Sequence, residues 1–155
     1  MKNFCFLAGF LMIPHLAQAK ARFAPKTEMI RKSKAIAIVQ ITRVDPIEKK
    51  GGFWTYRQIA SANVESVIKG KLPGTIQIYG DENFICAQVQ LKVGRFLIFL
   101  AEDRDMLVGS NWHLSIRPIE NNLVGWYEKE EGIVLVEKSL EEVVKDIKMI
   151  LNSPK

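Results

Sequence analysis

The sequence contains little cysteine and little histidine. Cysteine occurs only at Cys5 and Cys86, and histidine only at His15 and His113. Small exported domains that depend on a disulfide framework carry four or more cysteines, so a disulfide scaffold is excluded. One cysteine and one histidine that lie far apart in the sequence do not make a zinc ligand set. We therefore expect no metal site and no cofactor.

The sequence also lacks the motifs of the common hydrolases. It has no G-x-S-x-G segment, and a catalytic nucleophile needs a base to activate it. His113 has three possible nucleophilic partners: Ser110, Ser115 and Cys86. The stretch from Glu102 to Asp105 resembles part of a calcium loop but lacks the glycine and the final glutamate of that motif. We predict no catalytic residues and no enzyme activity.

An excess of charge of one sign is missing as well. Lys and Arg together number 22 and Asp and Glu 17, which gives a formal net charge of +5. The basic residues are spread among the acids, which is not the pattern of a nucleic-acid-binding surface. This balance favours only a weak attraction to anionic surfaces.

The N-terminal segment predicts export. Lys2 is followed by an apolar run from Phe4 to Leu16 and by Ala17-Gln18-Ala19, the small residues that a signal peptidase recognises. The run is too short to span a membrane. We expect residues 1–19 to be a secretory signal peptide, cleaved between Ala19 and Lys20, and the mature chain to have no transmembrane segment. The mature protein is then secreted or periplasmic.

Cleavage would remove Cys5 and leave Cys86 as a single free thiol. Cys86 lies in the apolar run Phe84-Ile85-Cys86-Ala87, which is typical of a small buried hydrophobic residue. Two alternatives stay open at this point. Cys86 could be the reactive group of a thiol-dependent enzyme, or it could link two copies of the chain by a disulfide.

The mature chain has the length of one domain. We predict a flexible leader at 20–26 and a single domain at 27–155. A short helix is expected from Thr27 to Ser33, followed by short strands. The expected strands are 35–44, 53–69, 75–79, 84–91, 95–100 and 106–108, with a bulge near Val67 and Ile68.

The C-terminal third predicts a hairpin and a helix. Residues 110–113 are expected to be a loop, 116–122 an irregular connection, and 123–127 and 132–136 a peripheral hairpin. Ser139 and Glu142 form a capping box at the start of an amphipathic helix. Several short strands with bulges and flanking helices favour a mainly β fold, and specifically a small, strongly coiled barrel.

Three segments resemble the netrin-like modules, which include the tissue inhibitors of metalloproteinases (TIMP-like modules). They are the short helix at Met29-Ile30 with the buried strand to Val44, the V-x-x-V-x-K-G segment from Val64 to Gly70, and Cys86 followed by Val93-Gly94 and the apolar run to Leu100. The resemblance covers roughly residues 28–127.

The resemblance implies an OB-like five-stranded barrel with a short N-terminal helix, a peripheral hairpin and a C-terminal amphipathic helix. It also implies an extracellular binding role. The members that inhibit metalloproteinases chelate the protease zinc through an N-terminal cysteine, whereas this mature chain would begin at Lys20. The family's cysteine at the position of Cys86 often pairs with a later cysteine, and none follows here.

One cluster is the best candidate for a binding surface. It combines cations and aromatic rings around the first turn, next to Phe53: Lys49, Lys50, Trp54, Tyr56 and Arg57. OB-like barrels bind ligands on strands 2 and 3 and the adjacent loops, although Trp54 and Tyr56 could instead cover the barrel. We expect a protein partner, with an anionic glycan or nucleic acid bound by this cluster as the alternative.

Overall fold

The computed structural model describes residues 22–84 and 88–154. The predicted signal peptide, its cleavage site at Ala19 and Lys20, and Cys86 lie outside these residues. The described chain is mainly β, with two helices. Its elements are α1 (Lys26–Lys32), β1 (Ala35–Lys50), β2 (Thr55–Lys69), β3 (Thr75–Glu82), β4 (Gly94–Asp103), β5 (Met106–His113), β6 (Ile116–Glu120), β7 (Leu123–Tyr127), β8 (Leu135–Ser139) and α2 (Leu140–Asn152).

The eight strands form one mixed sheet in the order β1-β2-β3-β5-β4-β6-β7-β8. β1 also pairs with β4, from Ala35 opposite Leu100 to Ile41 opposite Gly94. This second pairing closes β1, β2, β3, β5 and β4 into a five-strand ring. Only β3 and β5 run parallel; the other pairs are antiparallel. A register shift beside Ile36 leaves Ile68 unpaired, which confirms the predicted bulge.

The first half of β1 is buried on both faces, because alternate side chains enter two different cores. Its alternate residues on the inner face of the ring are Ala35, Ala37, Val39 and Ile41. Ile36 and Ile38 point to the other core, which lies between the sheet and the two helices. A strand that is buried on both sides reads as a continuous apolar run, which is why the sequence predicts it well.

Lys69 and Gly70 join the end of β2 to α1. The Lys69 ammonium donates hydrogen bonds to the carbonyl oxygens of Ile30 (3.0 Å), Arg31 (2.6 Å) and Ser33 (2.6 Å) at the C-terminal end of the helix. Gly70 has a φ of +80°, and a Cβ there would lie 2.5 Å from the carbonyl oxygen of Lys34. The Lys-Gly pair therefore has a local structural role. Lys69 places a cation at carbonyls that the helix leaves unpaired, and Gly70 lets the backbone approach Lys34 closely.

The C-terminal helix follows its prediction closely. The Ser139 side chain accepts from the Glu142 amide, and the Glu142 side chain accepts from the Ser139 amide, so the capping box is present. Leu140, Val143 and Ile147 are buried on one face. None of the helices in the described ranges is long and apolar enough to cross a membrane.

A buried arginine supports the packing below α2. Arg117 is 2% exposed and donates to the carbonyl oxygens of Leu114 (2.9 Å) and Gly125 (2.5 Å). Its guanidinium also lies 5.1 Å from the Trp126 ring and 4.5 Å from the Tyr127 ring. Burial lowers the pKa of Arg117 to about 10, so the group is still charged at neutral pH.

The predicted strand at 84–91 is wrong for the residues described, since Phe84 and residues 88–91 lie in no strand. Val89 and Leu91 are nevertheless buried in the core inside the ring. One backbone bond joins this segment to β3, from the Asp81 amide to the Val89 carbonyl (2.7 Å), and two side chains bind its amides. The Val89 amide donates to Glu82 Oε2 (2.9 Å), and the Leu91 amide donates to Gln58 Oε1 (2.9 Å).

Two other predicted connections are also strands. Residues 110–113 belong to β5 rather than to a loop, and most of the predicted irregular stretch 116–122 is β6. The peripheral hairpin is present, but its second strand is β8 at 135–139 instead of 132–136. β8 is exposed along most of its length, and a run of partly exposed apolar residues leads into it: Ile133, Val134, Leu135 and Val136.

Replacing Lys69 tests its role at α1. We expect Lys69→Met to lower the free energy of unfolding by about 1–3 kcal/mol, because three buried or half-buried carbonyls lose their donor. Lys71→Met, two residues along at an exposed position, is the matched control and should change stability little. Urea unfolding of both variants measures the difference, and equal midpoints would contradict the role.

Candidate functional site

The five predicted binding residues lie near one another but do not form one surface. In the β1–β2 hairpin, Lys49 pairs with Tyr56 and Lys50 with Thr55. Tyr56 is 2% exposed, whereas its neighbour Arg57 is exposed. Successive residues of a strand face opposite sides. The aromatic and basic parts of the predicted cluster are therefore separated.

Lys49 lies opposite Tyr56 in the hairpin, but its charged group contacts residues outside the predicted cluster. Lys49 forms an ion pair with Asp105 (3.2 Å), and its ammonium lies 5.0 Å from the centre of the Tyr79 ring. The hydrogen bond that Lys49 donates to Asp105 raises the pKa of Lys49. The Lys49 side chain borders a shallow hollow with Tyr79 and Leu107, while Lys50 and Arg57 are exposed.

Three aromatic side chains from distant parts of the chain meet beside the hairpin tip, at residues 51–54. The ring centre of Trp54 lies 4.9 Å from that of Phe84 and 5.6 Å from that of Trp112, and Phe84 and Trp112 are 5.2 Å apart. All three are half-buried, whereas Phe53 at the tip is 94% exposed. We call Phe53, Trp54, Phe84 and Trp112 the aromatic cluster.

Trp112 is held in the aromatic cluster by an uncommon backbone conformation. Its φ is +53°, a region that bulky residues rarely adopt. A tight turn fixes it, since the Leu114 amide donates to the Asn111 carbonyl (3.2 Å) and the Ser115 amide to the Trp112 carbonyl (3.0 Å). The buried Asn111 side chain secures this turn through hydrogen bonds with the backbone of Ala24. Strain of this kind is often found at functional sites.

Asp103 fixes the hairpin tip against the β4–β5 turn. Its carboxylate accepts hydrogen bonds from the Tyr56 hydroxyl (2.7 Å) and the Gly52 amide (2.7 Å). Gly51 lies so close to Asp103 that a Cβ at this position would overlap the carboxylate. Burial and the Asp103 carboxylate raise the pKa of the Tyr56 hydroxyl, which therefore stays protonated as a donor. The Tyr56 ring thus has a structural role.

A cavity of about 350 Å³ opens between the hairpin tip and β5. Aromatic side chains form its walls: Phe53, Trp54, Tyr56 and Trp112. Its charged lining residues are all acidic: Glu82, Glu102 and Asp103. No lysine or arginine of the described residues lines it. We call this space the tip cavity.

Glu82 is buried at the base of the tip cavity. It is 3% exposed and accepts the Val89 amide, so it also holds the buried segment at 88–91. Burial raises the pKa of Glu82 above its ordinary 4.5, and the hydrogen bond from Val89 offsets part of that effect. The ionised carboxylate is therefore less favourable in the folded state than in the unfolded chain.

The remaining sequence candidates have structural partners. Ser110 Oγ lies 2.9 Å from Ser33 Oγ, and Ser115 Oγ accepts the Asn111 amide. The His113 ring packs edge-on against Phe23, at 5.3 Å between centres, and its pKa is lowered by partial burial and by the Arg117 charge. Within residues 22–84 and 88–154, no three His, Cys, Asp or Glu side chains are grouped to hold a metal ion.

Sequence reasoning finds only part of the tip cavity. It identifies Phe53, Trp54 and Tyr56 but not Trp112, which β5 brings to the hairpin tip. It also leaves out Glu82, and it considers Asp103 only as part of an incomplete calcium loop. No local pattern links Trp112 or Asp103 to the hairpin tip, since both contact residues that lie far away in the sequence.

Comparison with protein-family models, curated proteins and solved structures gives no match for this chain. The assignment of a function therefore depends on the geometry of the tip cavity and on the sequence.

A double-mutant cycle tests how Asp103 holds the hairpin tip. We expect Tyr56→Phe to lower the free energy of unfolding by about 1 kcal/mol and Asp103→Ala by about 1–3 kcal/mol, because the alanine leaves two donors unpaired. In the Asp103→Ala background, Tyr56→Phe should have a much smaller effect. Strictly additive losses in urea unfolding would show that the two groups do not interact.

The pH dependence of stability tests the burial of Glu82. Because the folded-state pKa is raised, ionisation of Glu82 costs stability above that pKa, and the cost disappears once the pH falls below 4.5. We expect Glu82→Gln, which keeps an oxygen acceptor for Val89, to be more stable than the parent at neutral pH. The difference should shrink in acid. Exposed Glu120→Gln is the control, and a gain that persists unchanged in acid would contradict this explanation.

Proposed function

We propose that this protein is an exported, non-catalytic binding module that engages a protein partner outside the cytoplasm. The observation that carries the proposal is the tip cavity, with Trp54 and Trp112 half-buried and Phe53 fully presented to solvent. Exposed aromatic residues around a cavity are the usual energetic centres of protein interfaces. The N-terminal segment supplies the argument for export.

The proposal includes an OB-like barrel of the netrin-like and TIMP-like kind. Its support is the pairing order of the ring, β1-β2-β3-β5-β4 and back to β1, with both helices packed outside it. OB folds bind their ligands at the loops between strands 1 and 2 and between strands 4 and 5. The tip cavity lies between the hairpin tip and Asp103, so it occupies the corresponding position.

A protease-inhibiting role is not part of the proposal. The inhibitory TIMP-like proteins depend on an N-terminal cysteine, and cleavage after Ala19 would leave Lys20 at that position. What the resemblance contributes is a fold and a general binding role. The thiol-dependent alternatives depend on Cys86, which lies outside the described residues.

The anionic-polymer alternative has less support at this site. Stacking of sugars or bases would use Trp54 and Trp112, but the carboxylates that line the tip cavity repel phosphate and sulfate groups. Lys50 and Arg57 are exposed elsewhere on the hairpin. Salt dependence distinguishes the two ideas, because binding through these cations would weaken steeply as salt increases.

Crosslinking in the native host tests the proposed function. The chain is expressed with its first nineteen residues and a C-terminal tag, and we expect the purified exported protein to begin at Lys20. Crosslinking in the envelope fraction or medium should capture a discrete protein partner. Phe53→Ser combined with Trp112→Ala should abolish the capture, since it removes the aromatic surface.

Met149→Ser, at an exposed position on α2, is the matched control and should retain the partner. If the Phe53→Ser, Trp112→Ala variant (the tip variant) captured the partner as well as the parent does, the interface would lie elsewhere. Failure to find any partner, together with turnover of a substrate by the purified chain, would overturn the binding role.

A further inference from the structure

We infer that the tip cavity receives a positively charged side chain, lysine or arginine, of the partner protein. This inference rests on the proposed function and names the chemistry of its contact. It follows from three properties of the tip cavity: the faces of its walls, the sign of its charges and its size.

The walls attract cations. The face of an indole or phenyl ring is electrostatically negative and binds a cation within about 6 Å, most strongly for Trp. Trp54 and Trp112 both line the tip cavity, and their ring planes differ in direction by 71°, so the cavity meets aromatic surface on more than one side. Phe53 stands at the entrance, where it can cover the methylene groups of a long side chain.

The charges in the tip cavity are negative and only partly neutralised within the protein. Asp103 is bonded to two neutral donors, Tyr56 and Gly52, which satisfy its oxygens without cancelling its charge. Glu82 is bonded to a backbone amide, which is also neutral. Among the residues that the structure describes, Glu102 is the one of the three acids with a cationic partner, Lys34, and that pair is partly exposed.

The size of the tip cavity suits one side chain. Its volume of about 350 Å³ is near the lower end of the range for ligand sites, which runs from roughly 300 to 1,000 Å³. An arginine or lysine side chain would bring its charge to the carboxylates and leave its backbone outside, as a protein partner requires. A guanidinium can also stack on an aromatic ring and bind a carboxylate at the same time.

Short peptides with one variable residue test the inference on the chain beginning at Lys20. The probes are Ac-Gly-Ser-Arg-Ser-Gly-NH2, its lysine counterpart and its citrulline counterpart, with choline as a small free cation. Binding is followed through the indole N–H signals in nitrogen-15 NMR spectra. We expect the arginine and lysine peptides to move the signals of Trp54 and Trp112, and the signal of buried Trp126 to stay in place.

The charge of the probe should decide its affinity. Citrulline has nearly the shape of arginine without the charge, and we expect its peptide to bind roughly tenfold more weakly. Choline should bind more weakly than the arginine peptide, because it lacks the methylene stem that packs on Phe53. Tighter binding of choline would reassign the tip cavity to a free organic cation, and equal binding of arginine and citrulline would overturn the inference.

Two variants with matched net charge provide the control. Asp103→Asn with Glu102→Gln removes two charges from the tip cavity. The amide oxygen of the new asparagine can still accept the Gly52 amide, and its NH2 group can donate to the Tyr56 hydroxyl oxygen. We expect this double variant to reduce the affinity for the arginine peptide by roughly tenfold. Glu120→Gln with Glu137→Gln removes two exposed charges elsewhere and should change the affinity little. An equal reduction in both variants would mean that only the overall charge matters, and the inference would fail.

The two experiments can fail separately. Loss of the crosslinked partner in the tip variant, without any charge preference among the peptides, would leave the binding role intact and remove only this inference. A clear preference for arginine without a captured partner would support a cation site and count against the protein-partner role.

Discussion

The double pairing of β1 is the constraint on which the rest of the structure depends. From Ile36 to Ile41 this strand pairs with β2 on one side and β4 on the other, which closes the ring. Both of its faces are then covered, so both must be apolar. Alternate side chains of β1 belong to one core or the other. Beyond Ile41, β1 pairs with β2 alone. That free extension lets the hairpin tip reach the β4–β5 turn and Asp103, so the same strand produces both the ring and the tip cavity.

The tip cavity combines walls that are held by hydrogen bonds with negative charge that is only partly neutralised. Asp103 holds the hairpin tip through neutral donors, and the Asn111 turn fixes Trp112 in its strained conformation. Fixed aromatic rings lose little conformational entropy when a ligand binds, which favours recognition by a preformed site. The tip cavity therefore has the form of a small preformed pocket and not of an extended groove.

The sequence predicts the parts of this fold that depend on local patterns. The apolar run in β1, the bulge at Ile68 and the capping box at Ser139 are all visible because neighbouring residues determine them. The buried segment at 88–91 is not, since the side chains of Gln58 and Glu82, from other elements, bind its amides. The same holds for Asp103, whose bonded partners lie 47 and 51 residues earlier. Local periodicity cannot reveal contacts between residues so far apart.

The last strand of the sheet has a consequence for local unfolding. Each ring strand has a neighbour on both sides, whereas β8 pairs with β7 alone and exposes nearly all of its side chains. Opening β8 breaks few backbone bonds and uncovers little additional apolar surface, so it requires the least free energy among the strands. Its amides should exchange with solvent well before those of β1 and β4. Local unfolding therefore begins at β8, the edge strand that lies outside the ring. The tip cavity, which is built on the ring strands, stays ordered during such openings.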